Sequence, residues 1–153
     1  MLEPQQPAPD FELENQDGEP VKLSDFAGQP VVLYFYPKAD TPGCTVEAQG
    51  FRDHWDAFVD EGVAVLGVSN DPVADLKAFQ EKYDLPITLL SDVGGDVAST
   101  YETFGTTEVR GETWEIAFRN TYLVDADGII ASVYEDVDPD GHAEEVLAEL
   151  AAA

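Results

Sequence analysis

Cysteine is almost absent from this chain: one residue, Cys44, stands among 153. A single thiol excludes an internal disulfide framework and a Cys-x-x-Cys redox pair. Basic residues are scarce too, with 7 Lys and Arg against 32 Asp and Glu and a formal charge of −25. Such a field repels nucleic acid and anionic membranes, so neither is an expected partner. Long apolar runs are missing. The longest, Val31–Tyr36, is six residues, against the roughly 20 of a membrane-spanning helix. Met1 to Asp10 is rich in Pro and Gln and lacks the basic start and apolar stretch of a signal peptide. The expectation is a cytoplasmic protein.

What is present is ordinary globular material, 44% apolar, enough in a chain of this length for one domain spanning residues 1–153. The acids are spread along the chain, for example Glu12, Asp53, Asp96 and Glu149, and form no tail. Spread acidity with few lysines suits a cytosol at molar salt, where screening collapses the self-repulsion.

Hydrophobic periodicity and turn residues divide the chain into elements. Phe11–Leu13 and Val21–Leu23 flank Asp17-Gly18 as a hairpin, followed by a short capped turn at Ser24–Gly28. Val31–Tyr36 is a central strand covered on both faces. Apolar spacing predicts one helix over Thr45–Glu61, ended by Gly62, then a strand at Val63–Ser69. Strand, helix and strand make a parallel βαβ unit. A helix at Val73–Tyr83 follows Asp71-Pro72 as its cap, Ile87–Leu90 is a short strand and Gly95–Tyr101 a short helix. Glu115–Val124 and Ile129–Tyr134 read as strands joined across Ala126-Asp127-Gly128, and residues 141–151 as a closing helix. The fold class is α/β, a mixed sheet with helices on both faces.

Cys44 lies where the central strand hands over to the long helix. Unpaired backbone N–H groups and the positive end of a helix dipole favour a thiolate there. The two histidines are not its partners. His54 is ten residues further along the same helix, roughly 15 Å away, and His142 opens the last helix as a solvated residue of the cap region. Asp136-Val-Asp-Pro-Asp140-Gly141 begins like a calcium loop, but Leu147 stands where the bidentate Glu belongs, so it reads as an acidic turn. No metal or cofactor is expected.

Pro37-x-x-x-Thr41-x-x-Cys44 matches the signature of the peroxiredoxins. Phe35-Tyr36-Pro37-Lys38, Thr41-Pro42-Gly43-Cys44-Thr45, Ala8-Pro9-Asp10-Phe11, Gly67-Val68-Ser69 and Arg119-Asn-Thr-Tyr-Leu-Val-Asp125 resemble the bacterioferritin-comigratory, or Q-type, branch. The resemblance covers nearly the whole chain and implies a thioredoxin-like peroxiredoxin fold. It also implies a peroxidase in which Cys44 attacks a peroxide and becomes a sulfenic acid. On that reading the Thr41 hydroxyl accepts from thiol or peroxide and donates to the other, and Pro37 shields the sulfur and withholds an N–H. Arg119 stabilises thiolate and leaving oxygen, and the backbone N–H groups of Gly43 and Cys44 donate to the peroxide. Arg52 then reads as a structural ion-pair residue and Arg110 as a loop residue.

Many members of that branch carry a resolving cysteine five residues after the peroxidatic one; here Gln49 stands there. The resemblance therefore implies a one-cysteine enzyme, a monomer or weak homodimer, whose sulfenic acid is resolved by an external thiol, small or thioredoxin-like. The rival reading is a non-catalytic thioredoxin-fold sensor or chaperone-like partner that uses Cys44 oxidation as a signal.

Overall fold

The computed structural model describes residues 1–152; Ala153, the end of the expected domain, lies outside them. Strand β3 (Val31–Phe35) is buried at every position and organises the rest. Its odd positions Val31, Leu33 and Phe35 belong to one core with Leu66, Val68, Tyr101 and Tyr122. Its even positions Val32 and Tyr34, with Tyr36 beyond them, belong to the other with Cys44, Phe51, Phe58 and Phe79. The period of two along a strand thus sorts one continuous apolar run into two cores.

The elements follow in the order β1 (Glu12–Asn15), β2 (Pro20–Lys22), β3, α1 (Pro42–Asp53), α2 (Trp55–Asp60), β4 (Ala64–Ser69), α3 (Val73–Tyr83) and β5 (Thr88–Ser91). After these come α4 (Asp96–Thr100), β6 (Phe104–Val109), β7 (Glu112–Ala117), β8 (Thr121–Val124), β9 (Ile130–Tyr134) and α5 (His142–Ala152). A seven-stranded sheet runs β2-β1-β5-β4-β3-β8-β9. β3 pairs parallel to β4 and β4 to β5, whereas β8 and β9 run antiparallel beyond β3. The expected parallel βαβ unit and mixed sheet are both present.

Three readings of the chain need correction. The long helix is two, broken at His54 (φ −107°, ψ 16°). No Pro or Gly marks that break, and the residues around it are held by tertiary contacts. Arg52 donates to the Tyr83 carbonyl at 2.8 Å, and His54 lies 3.3 Å from Glu144. The cap assigned to Asp71 is not made: Pro72 occupies the N-cap position of α3 without a side-chain bond. Finally, the run Glu115–Val124 is split at Phe118–Asn120, and its first part pairs with β6 in a separate two-stranded ribbon. Arg110 and Gly111 both have positive φ at its tip (53° and 82°), as a two-residue type I′ turn requires.

Where β3 and β4 run side by side, Tyr34 is in register with Gly67. The Tyr34 ring lies across that glycine and stacks on Phe51 at 4.8 Å. A Cβ at Gly67 would sit 2.7 Å from the ring. Gly67→Ala is expected to cost about 1–3 kcal/mol of stability through overpacking, read as a lowered denaturation midpoint with unchanged slope.

Candidate active site

The connection from β3 to α1 is tied down from three sides. The Ala39 N–H donates to Asp71 Oδ2 at 2.7 Å, and Asp71 also accepts from the Ser69 hydroxyl at 2.7 Å. Asp40, in the left-handed region at φ 59°, accepts from Lys82 Nζ at 2.9 Å and from the Tyr83 hydroxyl at 2.8 Å. Lys38 Nζ stands 5.5 Å over the Trp114 ring of the β6–β7 ribbon. These ties fix where α1 starts. Pro42 is its first residue, where a missing N–H costs nothing, and Cys44 falls in the first turn with only 1% of its surface exposed.

Thr41 occupies the N-cap position, but its side chain makes no capping bond. Its hydroxyl donates to the Lys38 carbonyl at 2.7 Å, a loop-closing bond, so the expected donation to thiol or peroxide is not made. The proton of Oγ1 is thereby committed and its lone pairs are left as acceptors. Gly43 is needed for a different reason. A Cβ there would meet Arg119 Nη2 at 2.9 Å, so the glycine makes room for the guanidinium.

Arg119 comes from the break between β7 and β8, 75 residues away in the chain, and its Nη2 approaches Cys44 Sγ at 3.4 Å. The break is braced on every side. The Phe118 N–H donates to the Thr103 carbonyl at 2.7 Å and the Val137 N–H to the Arg119 carbonyl at 2.8 Å. Asn120 donates from Nδ2 to Thr103 Oγ1 at 2.6 Å and accepts from the Asp136 N–H at 2.9 Å. Pro37 and Arg119 also line a cavity of about 640 Å³, with Ile116, Phe118, Asn120 and Glu102 among its other walls.

The structure adds one residue that the sequence reading missed. Glu47 is 1% exposed, and its Oε1 takes a bond from Arg119 Nη1 at 2.9 Å. One guanidinium therefore bridges Glu47 and Cys44. Burial drives the Glu47 carboxyl up to about 7 against the opposing pull of Arg119, so desolvation outweighs the ion pair. The available signal was spacing: Glu47 sits three residues after Cys44, on the stripe that Cys44, Ala48 and Phe51 bury.

The remaining candidates fall elsewhere. His54 lies at the far end of α1 and faces Glu144. His142 is not solvated, because its side chain has no exposed surface. It sits 2.9 Å from Thr121 Oγ1 and 3.0 Å from Glu145. Its ring meets Phe51 and Tyr134 edge-on. Burial holds it below the usual histidine range, with Arg119 adding to that effect and Glu145 opposing it. The expected helix start at His142 is present, but tertiary packing buries the side chain. Arg52 pairs with Asp53 at 3.0 Å and Arg110 caps the ribbon turn. Asp138 accepts from the Asp140 N–H within the acidic turn. Among the described residues no group of three or more His, Cys, Asp or Glu is arranged to hold a metal ion.

The Glu47 shift has a sign. An acid raised in the fold stabilises it fully below its unfolded value near 4.5, and the contribution is lost as pH climbs through 7. The stability of the wild type relative to Glu47→Gln is expected to fall by on the order of 3 kcal/mol between those limits. Denaturant titrations of both proteins across that window check it; parallel curves would refute it.

Comparison with known proteins agrees with this geometry. The AhpC/TSA family model matches residues 4–133. Peroxiredoxin Bcp of Escherichia coli is 46% identical over 92% of this chain and 90% of its own. The chloroplastic peroxiredoxin Q of Sedum lineare is 42% identical over 91% of this chain and 73% of its own. Among solved structures, peroxidoxin BcpB of Mycobacterium tuberculosis superposes with a TM-score of 0.89 at 36% identity, covering 99% of this chain and 98% of that one. The bacterioferritin comigratory protein of Xanthomonas campestris, described for its alkyl peroxide reduction activity, gives 0.86 at 31% identity over 93% of this chain and 90% of that one. With the thioredoxin-like fold, the strand-to-helix thiol and the guanidinium upon it, this chain belongs to the AhpC/TSA family, among the peroxiredoxins.

Proposed function

We propose that this chain reduces hydrogen peroxide and small organic hydroperoxides, with Cys44 as nucleophile and an external thiol as reductant. The observation that carries the reading is the Arg119 guanidinium 3.4 Å from a thiol in the first turn of a helix. Two fixed positive features meet at one sulfur, the arginine and the orphan N–H groups of the turn, and both favour the anion.

Each group then has a step. The thiolate attacks the terminal peroxide oxygen in line; the S–O bond forms, the O–O bond breaks, and its electron pair leaves on the second oxygen. Thr41 has spent its own proton on the Lys38 carbonyl, so it accepts the hydrogen of the peroxide O–H and orients that oxygen toward the sulfur. Arg119 and the N–H groups of Gly43 and Cys44 meet the charge on the leaving oxygen. Pro37, which lines the cavity beside Arg119, offers no competing N–H. The sulfur is so recessed that a slender –O–OH end suits it better than a bulky electrophile.

With Gln49 in place of a resolving cysteine, nothing inside the chain competes for the sulfenic acid. It persists until an external thiol arrives, and excess peroxide carries it to sulfinic acid. A monomer or weak dimer acting in the cytoplasm as one domain completes the reading. Among the described residues no helix is long and apolar enough to cross a membrane.

Turnover tests it. Cys44→Ser should keep the fold and lose peroxide consumption, and Arg119→Met should slow it by on the order of 10²–10³-fold. Mass spectrometry after equimolar peroxide should find a single added oxygen on Cys44, and further oxygens at high excess. A Cys44→Ser variant that still turns over would overturn the assignment, and oxidation only once per molecule with every supplied thiol would favour the sensor.

The charge of −25 bears on where such an enzyme works. Self-repulsion is screened over about 3 Å at 1 M salt but over about 10 Å at 0.1 M. We expect the melting temperature to fall as salt is lowered from molar to 0.1 M; a flat profile would remove the high-salt setting.

A further inference from the structure

Two acids and one cation share the buried space under the first turns of α1. Arg119 reaches Glu47 with Nη1 and Cys44 with Nη2, and the Glu47 side chain has no exposed surface. Its second oxygen, Oε2, has no hydrogen-bond partner. Among the described residues no other cation bonds to either acid. From β3 and the residue that follows it, the phenols of Tyr34 and Tyr36 face the same layer with unpartnered hydroxyls. Burial first, with Tyr36 and Glu47 next for Tyr34 and Asp71 next for Tyr36 against the pull of Ser69, drives both far above the ordinary tyrosine range, so they stay neutral. From α5, His142 is held neutral by its burial, with Arg119 reinforcing that state.

A thiolate and a carboxylate against one guanidinium would leave an uncompensated negative charge in a site that water does not screen, which is costly. The Cys44–Glu47 pair therefore keeps one proton between its two acids. Because the sulfur must be the anion to react, the proton belongs on the carboxyl, and the upward displacement of Glu47 to about 7 agrees.

We propose that Glu47 stores the proton that the departing peroxide oxygen needs, and that Arg119 changes anionic partner, from thiolate to carboxylate, as the sulfur is oxidised. The proposal rests on the peroxidase reading. The thiolate loses two electrons to the peroxide and becomes S–OH, and the O–O bond breaks onto the leaving oxygen. The Glu47 carboxyl gives up its proton, which ends on that oxygen as water or alcohol. Before the step the site holds S⁻, COOH and guanidinium; after it, S–OH, COO⁻ and guanidinium. Its charge does not change. A thiol then displaces water from the sulfenic acid, a second thiol releases Cys44, and the proton of that second thiol returns to Glu47. Glu47 touches neither sulfur nor substrate, so it is a positioning and proton-storing residue that acts through Arg119.

The test uses reduced full-length protein at mildly acidic pH, mixed with equimolar hydrogen peroxide and followed by infrared difference spectroscopy. Ultraviolet absorbance confirms the thiolate beforehand, and mass spectrometry confirms oxidation afterwards. The expected result is loss of a protonated-carboxyl band, shifted in heavy water, with no net proton uptake in an indicator-dye assay. Glu47→Gln should lack the band and take up a proton from solvent for each Cys44 oxidised. If that variant does not fold, the wild-type band and dye signals decide alone. Oxidation from a resting thiolate with no carboxyl change and full proton uptake would overturn the proposal, as would a resting neutral thiol. Failure of peroxide to oxidise Cys44 at all would instead overturn the peroxidase reading.

Discussion

A single guanidinium shared by two acidic side chains is the constraint around which this site is built. For Arg119 to lie on Cys44, the chain must leave the strand direction between β7 and β8. The residues that absorb the break are polar and buried: Asn120 and Thr103 bond each other, and Asn120 also holds the Asp136 N–H. On the other side of the contact, Gly43 leaves room for the guanidinium that any Cβ would push aside. Glu47 takes the second fork of the arginine and so limits its rotation. Loss of any one of these features would leave a cation near the sulfur, but without a fixed direction toward it, and electrostatic catalysis depends on that direction being set in advance.

The layer beneath α1 carries the cost of this arrangement. A helix packed on a strand ordinarily buries only apolar groups, yet here Tyr34, Tyr36 and Glu47 bring three unpartnered oxygens into the same interior. Unsatisfied buried groups typically cost about 1–3 kcal/mol each. The aromatic stack of Tyr36, Tyr34, Phe51 and Phe58, with successive centroids 4.8–5.5 Å apart, offsets that cost by burying large ring surfaces against one another. Packing strength in this layer is therefore matched to polar strain at its edge, next to the reactive thiol.

Much of this was legible in the chain because the informative residues are local. A run of β-branched and aromatic residues ending in Pro37, a turn, and a thiol before a helical stripe can be read from neighbours alone, and so can the hairpin turns at Gly18 and Gly128, whose φ values are +77° and +80°. The β6–β7 ribbon was read only in part, as the start of the Glu115–Val124 strand, because all but one of its residues are exposed or half-buried and it adds little to the core; the Arg110-Gly111 turn was the cue to its separate pairing. Glu47 and His142 were missed for a common reason. An acid in a helix, or a histidine at a helix start, is surface chemistry unless something distant covers it. Here the covers are Arg119, 72 residues from Glu47, and Thr121, 21 residues from His142. Long-range pairing of that kind leaves no local trace.

The distribution of the few cations follows the same logic. Of the 7 Lys and Arg residues, three act on the segment that presents Cys44. Lys38 stacks on Trp114, Lys82 holds Asp40, and Arg119 holds the sulfur. Exposed pairs such as Lys82–Asp40 add little to stability, and less in salt, so their value lies in fixing the path of the chain through a strained left-handed residue. The repulsion among the 32 acids is a matter for the solvent, which screens it more strongly as salt rises. Directing one loop at one thiol is a matter of geometry, which screening cannot supply. Hence a chain poor in cations keeps three of them where position matters, and Arg119, the one shielded most from solvent by its contacts with Glu47 and Cys44, is the one whose charge the proposed chemistry uses.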